Sequence, residues 1–128
     1  MEEPDADVIE LATRLFGLAR DGCTARLAEY VDAGVAADLT NQSGDSLVML
    51  AAYHGHAETV RALLDRGADP DQANDRGQTP LAGAAFKGEA DVIEVLVAGG
   101  ADPDGGRPSA RATAAMFGRE DLAELLGP

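Results

Sequence analysis

This 128-residue chain has no tryptophan, one lysine and one cysteine, and its aromatic residues number five, two Tyr and three Phe. A lone thiol, Cys23, cannot close an internal disulfide, so the fold must be held by packing, which a chain of this length can supply as one domain spanning 1–128. No apolar run reaches the roughly 18 to 20 residues of a membrane span, so no membrane partner is expected. Basic residues are scarce: ten Lys plus Arg against 23 Asp plus Glu give a formal charge of -13 and a pI near 4.3. Nucleic-acid binding rests on neutralising phosphates with Lys and Arg, so this balance argues against DNA or RNA; another protein, with a basic surface, is the better-matched partner. The opening "MEEPDADV" is acidic where a secretory leader would be basic and then apolar, which places the expected location in the cytoplasm.

What the chain does contain is self-similarity. "GDSLVMLAAYHG" (Gly44 to Gly55) reappears 33 positions later as "GQTPLAGAAFKG" (Gly77 to Gly88), and "HAETVRALLDRGADPD" (His56 to Asp71) lies over "EADVIEVLVAGGADPD" (Glu89 to Asp104) at the same offset. Gly22, Leu27, Val31, Gly34 and Asn41 fall on Gly55, Val60, Leu64, Gly67 and Asn74, a degenerate earlier copy in phase. A last copy, "SARATAAMFGREDLAELL" (Ser109 to Leu126), follows at an offset of 30, clipped by three residues. A period of this size marks stacked repeats.

Each unit predicts two helices. Thr79, with Pro80 behind it, and Ser46 are suited to cap the first, and Gly55, Gly88 and Gly118 to end it. The second carries apolar residues at helical spacing, Val60, Leu63 and Leu64 in one copy and Val92, Ile93, Leu96 and Val97 in the next, and is stopped by Gly67 or Gly100. The polar "ADPDQANDRG" between units predicts a connecting loop or projecting hairpin. Terminal units must be wet outside, and an inward face of Val8, Ile9, Leu11, Ala12, Leu15, Phe16 and Leu18 is expected at the start, with "REDLAELL" closing the end.

With its period, the "TPLAGAA" run, the Gly55-His56 pair and two "GADPD" segments, the chain resembles the ankyrin-repeat family. The resemblance implies an all-α solenoid of stacked helix-turn-helix units with short hairpin-like loops, in units near 1–40, 41–73, 74–106 and 107–128. Met49 and Ala82 replace the histidine of the family's T-P-L-H run, and Glu89 replaces that of the Gly-His pair, so the structural role the family gives that histidine carries over to His56 alone.

Chemistry for catalysis is not visible: no nucleophile sits with a base, and "GGRP" (Gly105 to Pro108) lacks the Lys-Ser/Thr ending of a phosphate loop. No enzyme activity and no cofactor is expected. His54, His56 and Cys23, one period before His56, make too few converging ligands for zinc, so no metal is expected; Cys23 reads as a small, partly buried apolar residue.

Binding residues are sought where the scaffold leaves a choice. After each Ala-Ala (Leu18-Ala19 in the first copy) stand Arg20 and Asp21, Tyr53 and His54, Phe86 and Lys87, Met116 and Phe117, so stacking would set them in two rows. Three of the five aromatics lie there, the residue type favoured at binding hot spots. The resemblance implies that this end of the first helix and the hairpin tips (Gln42, Ser43 and Asp45; Asp75, Arg76 and Gln78) form a concave partner-binding surface. The expectation is a monomeric module that scaffolds or sterically regulates another protein. The competing one is a homodimer assembled through the same aromatic row.

Overall fold

The computed structural model describes residues 6–128; residues 1–5, which carry most of the acidic opening segment, lie outside the described residues. Among the described residues eight α-helices come in four pairs: α1 (Ala6–Asp21) with α2 (Thr24–Asp32), α3 (Leu47–Tyr53) with α4 (Ala57–Asp65), α5 (Pro80–Lys87) with α6 (Ala90–Ala98), and α7 (Ala110–Met116) with α8 (Glu120–Leu126). The odd helices pack in succession, α1 on α3 on α5 on α7, and the even ones likewise, α2 on α4 on α6 on α8. The result is two rows joined within each pair, an all-helical solenoid in which a given unit touches its neighbours. Among the described residues the extended backbone is limited to isolated bridges, Thr40 with Ser46 and Gly106 with Ser109.

Local chemistry starts three of the inner helices, α3, α5 and α7, at a fixed register. Ser46, Thr79 and Ser109 are N-caps whose hydroxyls accept from the backbone N–H of Met49, Ala82 and Ala112 at 3.0, 3.2 and 3.0 Å. Pro80 opens α5 where its missing N–H would have had no partner in any case. The core between the rows is aliphatic: Leu15, Leu27, Leu47, Leu63, Leu81, Ile93, Leu96 and Leu122 are all buried. Ala51, Ala52, Ala84, Ala85 and Ala114 fill the narrow space where inner helices approach. In the outer row Thr24 and Thr59 share a 2.6 Å hydroxyl contact across the first junction.

The polar loops also stack. Asn41 and Asn74 occupy equivalent places, each accepting through Oδ1 from two backbone N–H groups of its own hairpin (Ser43 and Asp45; Arg76 and Gln78). The hairpins then bond to one another, Asp75 N to Ser43 O at 3.0 Å and Arg107 N to Gly77 O at 2.9 Å. The Asp38 carboxylate accepts from Asp69 N of the first "GADPD" segment, and the Asp71 carboxylate that closes this segment accepts from Asp102 N of the second, both at 2.7 Å. Part of the acidic excess thus fastens one loop to the next rather than merely wetting the surface.

Two expectations are corrected. The inward face at the start is shorter than expected: Leu15 and Phe16 are buried, but Val8, Ile9 and Leu11 are 58%, 52% and 36% exposed. Thr13 stands at the in-phase cap position, yet its hydroxyl bonds back to Ile9 O at 2.9 Å and α1 runs straight through it. The helix therefore extends about two turns beyond the repeat, where the described residues leave it largely uncovered. Cys23, expected to be partly buried, is exposed. It occupies the N-cap position of α2 without a capping hydrogen bond from its side chain.

At the far end Arg119 pairs with Asp121 at 2.9 Å, and the guanidinium holds the Asp121 carboxyl below its ordinary range. Arg111 ties the last inner helix to Asp104 through Nε and to the carbonyls of Gly127 and Pro128 through its terminal nitrogens.

Candidate functional site

Stacking converts sequence period into spatial proximity, and a groove forms where the inner helices end. Met49, Tyr53, Gln78, Ala82, Gly83, Phe86, Pro108, Thr113, Met116 and Phe117 enclose about 490 Å³ between α3, α5 and α7 and the hairpins. Its floor depends on small residues. A Cβ on Gly83 would come within 3.2 Å of Met49 Cε and 3.7 Å of Tyr53 Cδ2, so the absent side chain is what lets those two lie across α5.

The walls are aromatic and solvent-facing. Phe86, Met116 and Phe117 are 57%, 68% and 53% exposed, whereas Tyr53 is half-buried. Phe86 and Phe117 meet edge to face, centroids 5.7 Å apart at 68°, which fixes both rings with few rotamers left to freeze. Lys87 Nζ sits 5.0 Å from the Tyr53 centroid, an arrangement favoured by the ring quadrupole. His54, exposed at the C-cap of α3, stands edge-on to Tyr53 at 5.5 Å.

The candidates from the two rows therefore converge, and the hairpin residues only in part. Tyr53, Gln78, Phe86, Met116 and Phe117 line the groove, with His54 and Lys87 against Tyr53. Gln42 and Ser43 instead border a separate concavity of about 640 Å³ at the open end, with Ile9, Phe16, Arg20 and Asn41. Asp45 and Gln78 are half-buried and accept from Asn74 Nδ2, both at 2.8 Å, so their oxygens already serve the hairpins. Asp75 and Arg76 are exposed at the tip. Met49, Ala82, Gly83, Pro108 and Thr113 were not among the expected binding residues. The in-phase replacement of larger residues by Ala82 and Gly83 is the signal that locates the floor.

Charge is distributed unevenly around this groove. Glu58, Asp65, Asp91 and Glu94, with Arg61, border a third concavity of about 790 Å³ between α4 and α6, on the outer row. The groove lining itself carries no charged side chain.

The histidines and cysteine have separate surroundings. The His56 ring lies over Gly22, where an added Cβ would fall 2.5 Å from Nδ1, and its Nε2 donates to Arg20 O at 2.7 Å. One unit on, the Glu89 carboxylate occupies the same place over Gly55, and one further the Arg119 guanidinium lies over Gly88. Three chemically different side chains thus perform one packing task. Among the described residues no three His, Cys, Asp or Glu side chains cluster as metal ligands would, and no helix is long and apolar enough to cross a membrane.

Known proteins share this pattern. A family profile of ankyrin repeats in three copies matches residues 15–107. A protein of Pseudomonas aeruginosa named for its ankyrin repeats is 49% identical over 59 residues, 46% of this chain, and that match covers 34% of the relative's own length. With the paired helices, the in-phase caps and the stacked hairpins, the profile match over most of its length shows that the chain belongs to the ankyrin-repeat family.

Proposed function

We propose that this chain is a non-catalytic protein-binding module that grips its partner through the concave face formed by the ends of its inner helices and the hairpin tips, acting as a scaffold or steric regulator. Ankyrin repeats are in general protein–protein interaction modules and not catalysts. The observation that carries the reading here is the exposed row of Phe86, Met116 and Phe117 beside Tyr53. Large apolar side chains that face water around a preformed groove lose contact with solvent only when something docks. Because caps, hairpin bonds and the small-residue floor already fix the groove, docking needs little further ordering of this chain.

The charge of -13 attracts a basic partner at long range and repels polyanions. It acts from the outer row and the loops, whereas the groove itself offers apolar contact.

Capture from a lysate of the native host tests the reading. Immobilised wild-type chain is expected to retain a discrete partner that the Tyr53→Ala/Phe86→Ala variant loses by tenfold or more, with helical circular dichroism unchanged. Equal capture by both would contradict it. A second reading, self-association, draws on the same exposed row, and sedimentation across concentration separates the two: a monomer supports partner binding, a stable dimer the alternative.

A further inference from the structure

Resting on the groove as a binding surface, we infer that its occupant is a polypeptide segment with an apolar anchor flanked by carboxylates, although the protein as a whole is strongly acidic. Three cations stand on the elements that frame the groove. Lys87 lies against Tyr53 at the helix ends. Arg76 and Arg107 stand exposed on adjacent hairpins, beside the lining residues Gln78 and Pro108, and the two hairpins are joined by the Arg107 N–H to Gly77 O bond. Among the described residues, the ion pairs engage Arg66, Arg111 and Arg119; Lys87, Arg76 and Arg107 stand outside them, as do Arg14, Arg20, Arg26 and Arg61 away from this groove.

The nearby carboxylates turn toward the scaffold instead. Asp45 accepts from Asn74, and Asp104 from Arg111. The Asp75 and Glu89 carboxylates lie over Gly44 and Gly55, where an added Cβ would fall 2.5 and 2.7 Å from their oxygens. The acids of the outer row sit behind a helix layer, about 8 to 10 Å deep, and screening at physiological ionic strength decays over about 8 Å. With no charged side chain in the groove lining itself, these three cations are the groups that the flanks of a docked segment would meet, so a segment bearing Asp or Glu on both sides of its anchor matches the groove.

Fluorescence polarisation with the full chain tests this, using three synthetic amphipathic peptides of one length that share a Leu/Phe face and carry Glu, Ser or Lys flanks. The Glu-flanked peptide is expected to bind about tenfold more tightly than the Ser-flanked one, as for three modest surface ion pairs, with the advantage fading in high salt. Arg76→Ala/Lys87→Ala/Arg107→Ala should bring the ratio of Glu-flanked to Ser-flanked affinity to about one, whatever it does to the two affinities together, and Phe86→Ala should weaken all three peptides. Equal affinities, or tightest binding by the Lys-flanked peptide, would overturn the inference and leave the groove as a binding surface. Failure of every peptide to bind, or binding indifferent to Phe86→Ala, would remove both.

Discussion

Single residues set the register of this fold, and the clearest case is the turn that closes α3. Gly55 has φ +80°, a region L side chains enter at a cost of roughly 1 to 2 kcal/mol, and its open side is filled by the Glu89 carboxylate. Gly55→Ala should therefore lower the unfolding free energy by about 1 to 2 kcal/mol in urea titration, more than an exposed substitution does. The caps were legible because they are local: a hydroxyl followed by a helix former, or by Pro80, states its own role within four residues. The stacking over glycine was only partly legible. His56 stood out through the Gly-His pair, but Glu89 and Arg119 do the same packing with other chemistry, and no residue-type pattern marks a task defined by position alone. Cys23 misled for a similar reason, since a small apolar side chain is often buried and only its place at the exposed start of α2 keeps it in water.

At the scale of elements, helix pairing followed from apolar spacing, while the ends of the chain did not. Thr13 has the residue type of a cap, but the sequence before it lacks the glycine that stands two positions ahead of Ser46 and Thr79, so no hairpin forms and α1 continues through it. Periodicity alone assigned Val8, Ile9 and Leu11 to an inward face, which the described residues leave largely uncovered. The loops hold a second lesson. Repeated "GADPD" reads as solvated turn, yet the in-phase aspartates bond successive loops, a relation visible only when residues 31 apart become neighbours. Asp71→Ala should speed hydrogen exchange at the Asp102 amide and weaken the coupling between the second and third units. The loss in stability should be about 1 kcal/mol, because the freed N–H lies where water can replace the carboxylate.

For the whole molecule, stacking is what turns Tyr53, Phe86 and Phe117, spread over half the chain, into one surface. The sequence identified the rows because they occupy positions the scaffold does not dictate. It did not separate the hairpin residues that line the groove from those at the open end, since every tip has the same polar composition. Nor did total charge reveal that the groove lining itself is uncharged, because a sum carries no position. The account stands on the aromatic row being an interface and not part of the core. Urea unfolding of Tyr53→Ala/Phe86→Ala tests that most directly. The expected result is a cooperative transition within about 2 kcal/mol of the wild type, as for one exposed and one half-buried side chain, whereas a loss of several kcal/mol, the magnitude of core aromatic truncation, would show that the row holds the fold together and contradict the proposed binding surface.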